Sequence, residues 1–389
     1  TSNFIMNGGT FNPMGTEQGL ATFNIGNFTQ TAGTIDFNPS GNTSKGAILN
    51  VSGNFLQTGG FLRQNNATTA QAVTAAPIFL NGTSNQNVRI EGTFGPANLD
   101  LQLLNTGSGY TLTGGVNTGN LAVKWASGNI NLGAHDFNAG QLIATGAPNA
   151  VIGVLSGTSG FLRPATLAMV SGKIDNTADK LELTNPTLVP VTGVGLNAYV
   201  IGHLRKVFGS GASGDYTFPI GSSADYRPIQ LSGFTNDNQN KTFGVNFQAT
   251  GANQASGTKI VGVGTQPVIG GINWRIRRTD GSGNINKLNA IVATNNTFTV
   301  DHRLGQSNVN LTSGFASIGG EVFENTAIST ASVKYYNISS TKPVNLAGIN
   351  SASGSFIAIG GPTVITPPGG GYTVGPTGDF FNLTAVAAE

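Results

Sequence analysis

Near its start the chain spells one phrase almost identically more than once. Gly26-Asn27-Phe28-Thr29-Gln30-Thr31-Ala32-Gly33-Thr34 returns as Gly53-Asn54-Phe55-Leu56-Gln57-Thr58-Gly59-Gly60-Phe61, and a looser copy, Asn3-Phe4-Ile5-Met6-Asn7-Gly8-Gly9-Thr10, precedes both. Phe4, Phe28 and Phe55 stand 24 and then 27 residues apart. A period of this size marks one supersecondary unit stacked on the next, each burying a face that it cannot bury alone. It favours a structural, extracellular role over a catalytic one.

A unit of 24–27 residues divides into three short strands and three corners. Stacking such rungs at the ~4.8 Å distance between paired strands gives a parallel β-solenoid. In that geometry Phe4, Phe28 and Phe55 form one interior column. Gly9, Gly33 and Gly60 then turn one corner, where glycine accepts positive φ at no steric cost. Short segments such as Ala21–Ile25, Ala47–Val51, Leu99–Leu103 and Asn129–Leu132 mostly alternate apolar and polar residues, as half-buried strands do. No stretch sustains a helical apolar period for three turns. A second echo, Gly60-Phe61-Leu62-Arg63 and Gly160-Phe161-Leu162-Arg163, extends the repetition, and Asn65 to Ala76 reads as a loop inserted in a rung. Residues 1–199 are therefore expected to be solenoid.

Composition bounds the rest. Charged residues make up 9% of the chain, against roughly 25% in soluble domains. Asn, Thr, Ser and Gln take over as wetting groups. Richness in glycine also fits disorder, but 22 phenylalanines argue for a packed core. A net charge of +2 gives no bulk attraction to nucleic acid or an acidic membrane. The absence of cysteine excludes disulfides, thiolate metal sites and cysteine nucleophiles. No apolar run approaches the ~18 residues of a membrane span. The chain opens on Thr1 without a signal peptide, and we read it as a segment of a longer polypeptide.

From about residue 200 the texture changes. Tyr199–Phe208, Tyr216–Gly221, Tyr226–Leu231, Phe243–Phe247, Ile272–Arg278, Leu288–Val292, Val333–Tyr336 and Ser355–Ile359 read as strands, some separated by turns such as Asp280-Gly281. This predicts an antiparallel β-sandwich over 200–361. Residues 362–371 form a Pro/Gly linker, and 372–389 begin a following domain or supply an inter-subunit strand through Tyr372, Val374, Phe380, Phe381 and Leu383.

At these residues a resemblance enters. The run Gly202-His203-Leu204-Arg205-Lys206-Val207, then Gly214-Asp215-Tyr216-Thr217-Phe218-Pro219-Ile220-Gly221, then Tyr226-Arg227-Pro228-Ile229 resembles a module of very large secreted proteins of the Bacteroidota. Ser127-Gly128-Asn129-Ile130-Asn131-Leu132-Gly133 is similar to the rungs that precede that module, and Tyr372–Glu389 to the start of a further β-helix. The resemblance implies a surface adhesin or filament protein of the type IX secretion pathway, located outside the cell. It brings no catalytic residues with it.

Several side-chain groups invite a chemical reading. Glycoside-cleaving β-helices need carboxylates converging on one groove. Here the closest set, Asp175, Asp179 and Glu182 with Lys173 and Lys180, reads as a solvated turn. His135, His203 and His302 are isolated, without metal-ligand spacing. Trp274-Arg275-Ile276-Arg277-Arg278 has two readings: an aromatic–basic patch for glycan or nucleic acid carried by Trp274, Arg275 and Arg277, or a core Trp with an arginine-lined outer face paired to Asp280 or Asp301. The second is preferred.

The expectation is thus an all-β chain, a parallel β-solenoid followed by an antiparallel β-sandwich. It would act without catalysis or cofactor as a structural segment of an extracellular adhesin or fibre. Its partners would be neighbouring repeats or identical subunits, with glycans or surfaces as further candidates and neither nucleic acid nor membrane among them. The alternative is a carbohydrate-active or glycan-binding β-helix protein.

Overall fold

The computed structural model describes residues 2–13, 19–37, 45–63, 76–94, 99–237, 239–249, 259–261, 266–280, 289–294, 303–307, 315–319, 321–324, 336–339 and 355–360; from residue 248 onward, side chains are described only at 274–279. Every regular element among these residues is a strand. The chain divides into two compact units, Thr1–Thr184 with Val191–Ala198, and Asn185–Pro190 with Tyr199–Glu389.

The first unit is a parallel β-solenoid of about seven turns. Its rungs repeat three faces. On the first, Phe4 pairs with Phe28, Phe28 with Phe55, and Phe55 with Val88. On the second, Phe11 pairs with Ile35, Ile35 with Leu62, and Leu62 with Phe94. On the third, the strands Gly19–Ile25, Lys45–Val51, Ala76–Leu80, Leu99–Leu104 and Ala122–Ser127 pair in sequence, and the stack continues through Phe137–Thr145 and Leu162–Ser171. Alternation decides which side is buried. Gln86–Ile90 and Leu99–Leu104 bury every second residue, sending Val88, Ile90, Leu99, Leu101 and Leu103 inward. Phe55 pairs with a residue 33 positions later, a longer step than its predecessors, and residues 64–75 lie in that step, outside the described residues.

In the second unit antiparallel pairing dominates. Val200–Phe208 pairs with Lys241–Ala249, which pairs with Gln266–Asp280, which in turn pairs with Ser355–Gly360. Ser213–Phe218, Ile229–Thr235, Asn289–Thr294, Tyr336–Ser339 and Glu321–Glu324 form a separate antiparallel sheet. Phe208 meets Tyr216 and Phe243 edge-on at 5.6 and 5.8 Å between ring centres. Trp274 is fully buried, and its Nε1 donates to the Arg227 carbonyl at 2.8 Å.

Candidate functional site: repeat columns and a cationic sheet face

The repeat residues sit in register. The Phe4 and Phe28 rings stack at 5.6 Å with 4° between planes, and Phe28 and Phe55 at 4.5 Å with 8°. Val88 continues the column, so the aromatic stack passes into aliphatic packing. Gly9, Gly33 and Gly60 have φ of 74°, 84° and 79°. The stacking of this corner is as demanding as its dihedral. A Cβ on Gly60 would lie 2.5 Å from the Gly33 carbonyl oxygen, and one on Gly33 would lie 2.6 Å from that of Gly9. Each rung's turn therefore rests directly on the backbone of the one before.

Two residues away from the Phe column runs a polar one. Gln30 and Gln57 are fully buried, although amides of this chain read from sequence as wetting groups. Gln57 Nε2 donates to Gln30 Oε1 at 3.1 Å, and Gln30 Nε2 donates to the carbonyls of Gly33 and Phe61. The signal was present in the repeated phrase. Phe and Gln stand at i and i+2, so the alternation that buries one buries the other. A second buried amide set fills another corner. Gln86 Nε2 donates to the Val51 and Gly53 carbonyls, and its Oε1 accepts from Asn105 Nδ2 at 3.1 Å. Asn105 Oδ1 accepts from the Gly107 and Gly109 amides, and the Tyr110 hydroxyl donates to Leu80 O while accepting from Asn105 N. Burial raises the pKa of the Tyr110 hydroxyl.

The second echo resolves into a matching corner. Leu62 and Leu162 both point inward and are fully buried. Each following arginine reaches a carboxylate 27 residues earlier: Arg63 Nε donates to Asp36 Oδ2 at 2.9 Å, and Arg163 bonds Asp136. Arg163 Nε also bonds Glu182 at 3.1 Å. The polar turn that follows matches expectation at its tip and differs at its flanks. Thr177 and Ala178 at the turn are exposed, as expected of a solvated turn, but the flanking Lys173 and Lys180 are buried, with Lys180 Nζ donating to Thr158 O. Asp175 caps the Thr177 amide and Glu182 faces Arg163, leaving these carboxylates engaged in structure instead of sharing a groove. Among the described residues no three or more His, Asp or Glu gather as metal ligands.

The residues that carried the resemblance build one tight structure in the second unit. Val200 pairs with Ile220 in parallel, Gly221 bridges Tyr226, and the Arg227 amide donates to Ile220 O at 2.8 Å. Phe218, Ile220 and Tyr226 are all buried. A Cβ on Gly221 would lie 2.1 Å from the Asp225 carbonyl, which accounts for glycine there. Lys206 is buried beneath the loop 185–190. Its Nζ donates to the carbonyls of Asn185 and Val207, and burial pushes its pKa down to about 8.

The Trp–Arg segment separates into two sides. Trp274 and Ile276 face the core, so the indole cannot serve a surface site beside Arg275 and Arg277. The other side is cationic. His203 is opposite Asn246, and Asn246 opposite Arg275; Arg205 is opposite Gly244, and Gly244 opposite Arg277. His203, Arg205, Arg275 and Arg277 are all half-buried. Tyr372, Val374, Phe380, Phe381 and Leu383 lie outside the described residues, as do Asp301 and His302. No helix is long and apolar enough to cross a membrane among the described residues.

Comparison with protein-family models, with curated proteins and with solved structures finds no match for this chain.

Proposed function

We propose that the chain is a non-catalytic structural segment of an extracellular adhesin or fibre, of the kind carried by giant cell-surface proteins of the Bacteroidota and exported by the type IX pathway. The observation that carries the reading is the stack of about seven solenoid turns. Parallel hydrogen-bond ladders run along it, and ring, amide and ion-pair contacts join successive rungs. Such a body resists bending because a bend must part many backbone bonds at once. The second unit, with the antiparallel sandwich expected of it, then spaces the rod from the next element. In this reading the segment 372–389 adds as a strand to a neighbouring unit, since a solenoid or sheet edge pairs with any suitable strand.

Electron microscopy of the purified chain tests the reading: rods that associate end to end are expected, and deletion of 372–389 should abolish the association while leaving single rods. Unchanged filaments in the deletion would sink the strand-addition step, and compact particles without rods would sink the fibre reading itself. A second reading, a glycan-binding β-helix protein, draws on the cationic face around Gly244. The two are compatible in an adhesin, where a rigid rod presents a binding surface.

A further inference from the structure

We propose that residues 379–384 of one copy of the chain add as a parallel strand to the Asn3–Phe11 edge of a second copy, with Phe380 stacking on Phe4. The assignment deepens the fibre reading and rests on it, naming the two surfaces that meet and their register. Residues 372–389 lie outside the described residues, and their sequence is what marks them. Gly378-Asp379-Phe380-Phe381-Asn382 respells Gly26-Asn27-Phe28-Thr29-Gln30 and Gly53-Asn54-Phe55-Leu56-Gln57, with Asp in place of Asn and Asn in place of Gln. Glycine, Asn or Asp, phenylalanine, any residue, then Gln or Asn follow one another at these three places and nowhere else in the chain. The last residues thus carry the spelling of a rung's first face.

The first rung is shaped to receive such a strand. Asn3–Phe11 pairs with Asn27–Asp36 on one side, and among the described residues no strand pairs with its other side. An edge of this kind presents a row of backbone donors and acceptors to any strand that fits it. In the next two rungs the column is sealed, Phe28 and Phe55 being 1% and 0% exposed, whereas Phe4 and Phe11 are only half-buried. Phe4, Phe11 and Phe23, one from each face of the first rung, open onto an apolar hollow, with Phe28, Ile35 and Leu49 of the second rung behind them. The corner is open too. A Cβ on Gly60 or Gly33 would strike the carbonyl of the rung before, but one on Gly9 would meet no atom within 4 Å.

Laid on this edge in the register of the rungs, the tail matches it position by position. Phe380 continues the column in which Phe4 and Phe28 stack at 5.6 Å and Phe28 and Phe55 at 4.5 Å. Asp379 falls on Asn3. One rung further on, Asn27 Nδ2 donates to Asn3 Oδ1 at 3.0 Å while Asn27 Oδ1 accepts from the Asn54 amide at 2.8 Å, so Asn27 donates to the rung before it and accepts from the rung after it. Asn3 accepts in the same way, and its own Nδ2 then calls for an acceptor in the rung before, which an ionised carboxylate always is. Phe381 falls beside Ile5, whose side chain is 64% exposed, and covers it. Ala385 stands where the repeated phrase has its corner glycine. Alanine resists the positive φ of that corner, so the added strand stops at Thr384. The contact joins unlike surfaces of two copies, and can therefore repeat from copy to copy along a fibre.

Engineered cysteines test the register in the whole chain, which has no cysteine of its own. Ile5→Cys in one copy and Phe381→Cys in the next would stand one strand spacing apart, ~4.8 Å, within reach of a disulfide. With oxidised glutathione, a mixture of the two single variants should give a covalent dimer joined between positions 5 and 381, as peptide mass spectrometry reads, and the double variant should give a ladder of covalent oligomers. Ile5→Cys with Asn382→Cys should join poorly, since a shift of one residue turns the side chain to the other face. Sedimentation velocity gives the strength of association without a cross-link. Phe380→Ala should weaken it by about tenfold or more. Asp379→Ala should weaken it by roughly threefold, whereas Asp379→Asn, which restores the letter of the repeated phrase, should leave it unchanged. A disulfide closing within one copy, equal joining out of register, absent association, or association undiminished by Phe380→Ala would each overturn the assignment. Rods that associate end to end without the bond between 5 and 381 would overturn this docking and leave the fibre reading standing. Compact particles that carry the bond would do the reverse.

Discussion

The two units place their charges differently. In the solenoid, ion pairs run between rungs, Asp36 to Arg63, Asp100 to Lys124, and Asp136 to Arg163. In the second unit, His203, Arg205, Arg275 and Arg277 share one face of one sheet. In a stack of similar turns, charges in register meet along the axis, where like charges would repel and opposite ones pair. In the sheet, Leu204, Val245, Trp274 and Ile276 fill the core on one side and these half-buried basic residues project to the other. The placement of charge therefore follows the division into two units.

The largest test of that division concerns the cores. Phe55→Ala empties a fully buried site in the solenoid and Trp274→Ala one in the second unit. Each should cost about 3–5 kcal/mol, lowering one urea transition and leaving the other in place. If either substitution shifts both transitions together, the units unfold as one and the comparison fails.

Next is Lys206, whose folded pKa of about 8 lies below its ordinary 10.5. Between these values the unfolded chain holds a proton that the folded chain has lost, so stability rises with pH. The gain should be about 2 kcal/mol between pH 7.5 and 9.5 and belong to the second unit. Above pH 10 the trend should turn, because burial raises the Tyr216 hydroxyl's pKa and the unfolded chain ionises first. A urea series from pH 7.5 to 9.5 measures the rise, and Lys206→Met should flatten it; an equal rise in that variant would assign it elsewhere.

Glycine substitution sharpens the contrast on a smaller scale. Gly211 has φ of 69° with no atom within 4 Å of a would-be Cβ, whereas Gly60 has the same handedness with a carbonyl oxygen at 2.5 Å. Gly211→Ala should cost about 1 kcal/mol from the dihedral alone. Gly60→Ala should cost more, roughly 2 kcal/mol or above, since the rung beneath must also shift. Equal losses in thermal melts would mean that the stacked corner relaxes freely. The smallest effect is expected for Arg89→Ala. Arg89 pairs with Glu91 at 2.5 Å, but both side chains are more than a third exposed, so the loss should stay below about 0.5 kcal/mol.

Much of the solenoid was legible in the letters because its period is written in side chains. Phe28 and Phe55 stack, and Gly33 and Gly60 turn with positive φ, at positions given by the repeated phrase alone. The buried amides were harder to read. Gln30 and Gln57 are soluble residues by type; the carbonyls of Gly33 and Phe61 accept from Gln30 and the Gln30 oxygen accepts from Gln57, partners that stacking alone brings close, while Gln57 Oε1 is buried without a hydrogen bond among the described residues. The cationic face was half legible. Alternation separates Trp274 from Arg275 and Arg277, but nothing in that segment announces that His203 and Arg205 will stand two strands away.

Local order thus determined what local physics controls: strand character, the rung period, the glycine corners and the inward direction of most apolar residues, Phe61 and Val170 being among the exposed exceptions. These depend on dihedral freedom and on a two-residue alternation, both properties of neighbouring positions. Tertiary structure alone decided which carbonyls satisfy the buried amides, which carboxylate each arginine meets, and that four basic side chains from separate segments gather around Gly244. Those outcomes depend on register between strands distant in sequence, which a single chain of letters does not record.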